Sequence, residues 1–153
     1  MEIVDGKDYL PQVRQMIIRY TNWLNRDLSF QNLEDELDNL KQKYTSPEGE
    51  ILVAVQNGTV CGMVAYHRHS STRCEMKRLY VDVKMRGQHL GEELVSAIIS
   101  HARNSGYHEM VLDTIQPLKS AIQLYKKHGF QERAPYYGNP MKDVIYMKLD
   151  LSF

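Results

Sequence analysis

The run Arg86-Gly87-Gln88-His89-Leu90-Gly91 combines the residue types that a bound phosphate requires. Glycine lets the chain turn sharply and lets a ligand approach the backbone. If a helix begins here, its first turn offers unpaired N–H groups and the positive end of its dipole, which together attract an anion. Arg86 adds a charge-assisted contact to a phosphate oxygen. The segment is neither a P-loop nor a dinucleotide fingerprint, because GxxxxGKS, GxxxxGKT and GxGxxG with a downstream acid are all absent. Two glycines alone more often shape a plain strand-to-helix turn, so the meaning of the segment rests on what flanks it.

A strand precedes it and an amphipathic helix follows. Glu75 to Val83 reads as a strand with Glu75, Lys77, Leu79, Val81 and Val83 on one face and Met76, Arg78, Tyr80 and Asp82 on the other. Leu90, Leu94, Ala97, Ile98 and Ala102 form a helical stripe that ends before Ser105-Gly106. Upstream, Glu2 to Val4 is a short strand, and Leu10, Val13, Ile17, Tyr20 and Leu24 recur at helical spacing. Ser29 is a candidate N-cap for a second helix whose face is Leu33, Leu37, Leu40 and Tyr44, closed off by Pro47 and Gly49. Ile51 to Gln56 and Val60 to His67 are strands joined by Asn57-Gly58, the strongest short hairpin signal. Downstream, Met110 to Ile115 is a strand and Pro117 opens a helix that runs through Ala121, Leu124 and Tyr125 to Gly129. Val144 to Leu151 is the final strand of a terminal hairpin. Interleaved helices and strands predict a layered α/β sandwich. The strand–helix–strand unit between Glu75 and Ile115 predicts local parallel pairing with a right-handed crossover.

The bulk properties exclude some functions. A length of 153 residues predicts one domain over residues 1–153. Nineteen basic residues balance nineteen acidic ones, which argues against a general nucleic-acid binder. No apolar run approaches the ~18 residues that span a bilayer, and the N-terminus has no signal-like stretch, so no membrane partner and a cytoplasmic location are expected. Cys61 and Cys74 have no metal-ligand spacing and read as reduced core thiols. Asn57-Gly58-Thr59 reads as a turn, not as a glycosylation site.

Two blocks carry a family resemblance. Glu75-Met-Lys-Arg-Leu-Tyr-Val81 followed by Arg86-Gly-Gln-His-Leu-Gly91 resembles the core motif of the GNAT N-acetyltransferase superfamily. That motif is arginine or glutamine, two variable residues, glycine, a variable residue, then glycine or alanine, after an apolar strand. Ala121-Ile-Gln-Leu-Tyr-Lys-Lys-His-Gly-Phe130 resembles the family's A-x-x-L-Y-x-x-x-G-F helix and turn. The element order agrees over nearly the whole chain. His89 stands where the family usually has glycine, although its backbone N–H remains available.

The resemblance implies a GNAT-like three-layer α/β sandwich, with a mixed central sheet of six or seven strands and about four helices. It implies acetyl-CoA as co-substrate, no metal, and transfer of the acetyl group to a primary amine by direct attack in a ternary complex. Leu79, Tyr80 and Val81 would lie along the pantetheine arm, with a backbone N–H polarising the thioester carbonyl. Arg86, Gly87, Gln88, His89, Leu90 and Gly91 would surround the pyrophosphate. Glu75 is the expected general base, acting through water, with a salt bridge to Lys77 or Arg78 as its plainer role. Tyr125 is the expected general acid for the departing thiolate and a cofactor contact, with a core anchor as its plainer role.

The acceptor is expected to be a small-molecule amine. A protein N-terminus or lysine, and a non-catalytic acyl-CoA-binding module, remain as alternatives. The stretch Arg26 to Asp38 carries Asp27, Glu34, Asp35, Glu36 and Asp38 against Arg26, a charge of −4 that would attract a cationic amine or simply face solvent. Trp23, Phe30, Tyr136 and Tyr137 are candidate acceptor contacts. His67 and His69 share a strand face but have no third metal ligand in view. Lys126 and Lys127 read as a solvated face. An exposed final strand would permit a homodimer.

Overall fold

Asn57 and Gly58 both hold positive φ, 52° and 77°. A type I′ hairpin needs that at its two central residues. They fold β2 (Gly49–Gln56) onto β3 (Thr59–Arg68). The computed structural model, which describes residues 1–28, 31–87 and 89–152, extends this hairpin into a seven-stranded mixed sheet. β1 (Glu2–Asp5) joins β2, and β4 (Arg73–Val81) joins β3, both antiparallel. α4 (Leu90–Asn104) then carries the chain over to β5 (Glu109–Ile115), which pairs parallel to β4. β7 (Val144–Asp150) lies between β5 and the short β6 (Gln131–Arg133).

Strand alternation sends apolar side chains to both faces of the sheet. Ile51, Val53, Met63 and Ala65 meet Val13, Met16 and Ile17 of α1 (Leu10–Leu24) and Leu40 of α3 (Leu40–Lys43). Leu33 and Leu37 of α2 (Leu33–Asp38) join the same cluster. On the other face, Leu52, Val64, Met110 and Leu112 meet Leu94, Ile98 and Ala102 of α4 and Tyr125 of α5 (Lys119–Lys127). The chain is therefore a three-layer α/β sandwich.

Several expected elements change shape. The second helix divides at Asn39 (φ −131°), whose side chain donates to the Asp35 carbonyl at 2.9 Å instead of leaving it to the helix ladder. This gives five α-helices among the described residues, where about four were expected. Ser29, the expected cap, lies outside the described residues. β4 ends at Val81, not Val83, because the Asp82 carboxylate accepts from Lys84 N and starts a single 3₁₀ turn, Val83–Met85. α5 begins at Lys119, not Pro117. The final strand is interior, so the open edges belong to β1 and β6 and the expected dimerisation edge is absent from β7.

The largest departure is in β4. Met63 faces Tyr80 while Ala65 faces Lys77, so three steps on β4 match two on β3. The extra residue is a β-bulge, and Arg78 within it has φ 65°. Alternation is interrupted there. Met76, Leu79 and Val81 all pack towards α4, whereas Tyr80 packs towards α1. Glu75 therefore does not share a face with Leu79 and Val81, as unbroken alternation predicted. The bulge also ends the parallel ladder. β4 and β5 pair from Arg73↔Glu109 to Glu75↔Val111 and then diverge.

A left-handed arginine is held by a carboxylate fork. Arg78 Nε and Nη2 donate to Glu36 Oε2 and Oε1 at 2.7 and 3.0 Å, with the two side chains 3% and 1% exposed. Lys43 Nζ adds a third contact at 3.0 Å. Burial alone would raise the Glu36 carboxyl, but the Arg78 hydrogen bonds and charge, with Lys43 and Lys77, hold it at about 2. Removing one member of such a pair strands the other, at a cost of about 3–5 kcal/mol. Arg78→Met is expected to lower the urea midpoint accordingly. A carboxylate with a lowered value stabilises the fold fully above its ordinary range and loses that effect as acid protonates it. Stability should thus fall from about pH 5 towards pH 2, and Glu36→Gln, already destabilised, should show a flatter fall in the same titration.

Candidate active site

Where β4 and β5 part, a cleft of about 640 Å³ opens, in the size range of small-molecule sites. Its β4 wall runs from Met76 to Val81 and its β5 wall from Leu112 to Ile115. Arg86, Gly87, His89, Leu90 and Gly91 line it at the start of α4, and Tyr20, Trp23, Arg26 and Met141 complete the lining. Of the residues expected to bind a cofactor, Leu79, Tyr80, Val81, Arg86, Gly87, His89, Leu90, Gly91 and Tyr125 line this one space, and Gln88 lies outside the described residues.

The α4 end is built for an anion. His89 occupies the N-cap position without a side-chain cap bond, and Glu93 N is the donor that returns to the His89 carbonyl. The N–H groups of Leu90, Gly91 and Glu92 thus lack intrahelical acceptors. Gly87, at φ 85°, would have nothing within 4 Å of an added Cβ, so conformation and not crowding selects glycine there. Glu92 would repel a phosphate, but Lys127 Nζ pairs with it at 2.7 Å. The Arg86 guanidinium lies 4.9 Å from the Trp23 ring centroid and 5.6 Å from that of Tyr80, a cation–π arrangement that keeps it at the cleft rim.

Tyr125 is 8% exposed and packs edge-on against Phe130 at 5.8 Å. Burial, then the nearby Tyr20 and Asp113, raise its phenol well above the ordinary range, so it stays protonated.

Glu75 is placed differently from the expectation. It does not appear among the cleft-lining residues. Its Oε1 meets His67 Nε2 at 2.7 Å, and its Oε2 accepts from the Tyr136 hydroxyl at 2.5 Å. Burial would raise it, but the His67 hydrogen bond, the Lys77 charge and the Tyr136 hydrogen bond hold it at about 2. Tyr136 and Tyr137 likewise stand behind the cleft wall, one on Glu75 and the other on Asp113. Phe30 lies outside the described residues. Among the described residues no group of three or more His, Cys, Asp or Glu could hold a metal ion.

Two cleft residues carried no usable sequence signal. Asp113 on β5 is half-buried and accepts from Tyr137 OH and Asn139 Nδ2, both through Oδ2, so its Oδ1 has no hydrogen-bond partner among the described residues. Lys77 also lines the cleft, with its side chain 11% exposed. Lone charged residues inside strands are common, and only their position against the split gives them meaning.

Comparison with known proteins fits this geometry. Residues 17–130 match the profile of the Acetyltransferase (GNAT) family. The chain belongs to the GNAT acetyltransferase family. It is 44% identical over 145 residues to an uncharacterised N-acetyltransferase of Schizosaccharomyces pombe, covering 94% of this chain and 89% of that protein. It is 29% identical to an uncharacterised N-acetyltransferase of Dictyostelium discoideum, covering 99% of each. Among solved structures, a GNAT acetyltransferase of Staphylococcus aureus superposes with a TM-score of 0.81 at 20% identity over 98% of both chains. The Salmonella typhimurium yncA structure, determined with its cofactor acetyl-CoA, superposes with a TM-score of 0.75 at 23% identity, covering 99% of this chain and 94% of that one. At these identities the two structures establish the shared fold.

The acetyltransferase's cleft fits acetyl-CoA. The uncapped α4 terminus and Arg86 suit a pyrophosphate, and the β4 edge beyond Glu75, which has no strand partner on the β5 side, suits the amides of a pantetheine arm. His89 also becomes intelligible. It sits at φ 59°, ψ 17°, the left-handed region that explains the usual glycine. Histidine tolerates this region better than most residues, and its ring points to solvent with 83% exposure. His89→Gly and His89→Asn are therefore expected to hold acetyl-CoA affinity within about threefold, whereas a β-branched residue is a genuine outlier there. His89→Val should weaken affinity measured by calorimetry by about tenfold, through a strain of about 1–2 kcal/mol.

Proposed function

We propose that this acetyltransferase acetylates the primary amine of a small molecule by direct attack within a ternary complex. The observation that carries the reading is one continuous cleft. Its lining takes in the α4 terminus, suited to a nucleotide pyrophosphate, together with Arg26, Lys77, Asp113 and Met141, beside which an acceptor can sit. Holding both reactants in one space supplies the proximity that such a reaction needs.

Acetyl-CoA supplies an acetyl thioester whose carbonyl carbon forms the new C–N bond as the C–S bond breaks. Asp113 Oδ1, the carboxylate oxygen left without a partner on the β5 wall, takes the proton released by the acceptor's ammonium, directly or through water. The N–H proton lost as the C–N bond forms follows the same route, Asp113 returning each proton to solvent, while Tyr125 gives its hydroxyl proton to the leaving sulfur and regains one from solvent, so that of the two protons the nitrogen sheds one ends on coenzyme A and one in solvent. The unpartnered β4 edge near Leu79 to Val81 offers an N–H to the thioester oxygen. Glu75 acts as a positioning group, fixing Tyr136 and holding a negative charge near Lys77.

A mass-spectrometric screen of acetyl-CoA with small amines and peptides, read alongside thiol release, tests the reading. Acetylated small amines are the expected product, and turnover confined to peptides would overturn it. Tyr125→Phe should lower kcat by about 10²-fold or more while acetyl-CoA affinity changes less than about threefold. Asp113→Asn should lower kcat similarly. Glu75 is ionised throughout the assay range because it is held at about 2. Glu75→Gln should therefore lower kcat by a constant factor across that range, and a loss that changes with pH would return the base role to Glu75.

A further inference from the structure

The acceptor half of the cleft has the opposite electrostatics from those suggested by the acidic stretch Arg26 to Asp38. None of its acids lines the cleft. Glu34, Asp35 and Asp38 are exposed, and Glu36 is engaged by Arg78 and Lys43. The charged lining residues on this side are Arg26, Lys77 and Arg78, with Asp113 facing them from β5.

Two of those cations are satisfied. Arg26 forms a fork with Asp143, both bonds 2.9 Å. Arg78 forms its fork with Glu36. Lys77 is not. Its nearest carboxylate oxygen is Glu75 Oε1 at 4.0 Å, beyond hydrogen-bond range, and no described residue accepts from its ammonium. Both neighbouring carboxylates are already spoken for. Glu75 serves His67 and Tyr136, and Glu36 serves Arg78 and Lys43. Lys43, Lys77 and Arg78 thus share Glu36 and Glu75, leaving one positive charge in excess. Burial first, then the Arg78 charge, disfavour the charged lysine. A buried ammonium with three donors and no acceptor is costly unless something else supplies the anion.

Resting on the acetyl-transfer reading above, we propose that Lys77 receives a carboxylate of the acceptor, so that the substrate class is a small amino-carboxylic acid. The carboxylate would meet Lys77 on the β4 wall while the amine faces Asp113 Oδ1 on the β5 wall. An amino acid carries both charges in the required senses. A simple polyamine carries neither partner for Lys77 and would add a cation beside Arg78.

The test uses matched acceptors, the proteinogenic amino acids and their carboxamides, with acetyl-CoA and the whole protein. At least one free acid should exceed its own amide by about 10²-fold in kcat/KM, the scale of a buried polar group left unpaired. Lys77→Met should remove most of that preference through KM, leaving the amide within about threefold. Lys77→Arg, which keeps the charge, should retain at least part of it and guards against a mere folding defect in the methionine variant. Equal use of acid and amide by the wild type, or equal losses on both in Lys77→Met, would overturn the assignment while leaving acetyl transfer intact. Calorimetry with coenzyme A present separates the two readings. An acid that binds more tightly than its amide, without any turnover, would support the Lys77 site and refute the transfer reading.

Discussion

The buried fork between Arg78 and Glu36 is the contact on which the cleft depends. A strand that accommodates an extra residue in the left-handed region needs that residue fixed by its surroundings. Glu36 provides this from α2, with both side chains almost wholly excluded from solvent. The same contact ties α2 to the sheet and bends β4 away from β5. Without the bend, the two parallel strands could continue their ladder, and the cleft would be closed by backbone hydrogen bonds.

The split has a second effect, on electrostatics. It exposes an unpaired strand edge, which a protein normally protects. Here the edge faces a cleft lined by residues of α1, α4 and α5, where it can serve a ligand's amides without inviting another sheet. The bulge also turns Arg78 towards the α1–α3 side, where regular alternation already places Lys77 opposite Ala65. Arg78 consumes the buried carboxylate of α2, and Lys77 is left on the wall. One backbone irregularity thereby opens the cleft and charges its acceptor side.

At the other end, anion binding is prepared by removing what would oppose it. Glu92 is neutralised by Lys127, His89 turns outward, and Arg86 is stacked against aromatic rings where its charge stays near the helix terminus. Tyr125 lines the same cleft as a buried phenol that burial keeps protonated. The cofactor end is thus assembled mainly from local chain geometry, whereas the acceptor end is assembled from contacts between elements far apart in sequence, such as Arg26 with Asp143.

That difference explains what could be read from the sequence. The hairpin at Asn57-Gly58, the α4 stripe, the turn from Arg86 to Gly91 and the Leu124-Tyr125 helix follow from local periodicity and turn chemistry, and with them came the fold class and a group of residues that line one cleft. Strict period-two alternation misplaced Glu75 relative to Leu79, because a bulge inserts a residue that no local propensity at Arg78 announces. The acidic stretch from Arg26 to Asp38 left attraction of an amine and a solvated face both open, and Glu34, Asp35 and Asp38 follow the second, because net charge along a segment does not say which carboxylates are consumed by distant cations. The final strand was read as an edge, because pairing order is a long-range choice. Sequence by itself determined which local elements form and that a glycine turn opens α4, since those depend on neighbours within a few residues. Only the tertiary structure decided which strand bends, which charges cancel and which remain facing the acceptor, since burial and pairing across the sheet set those balances.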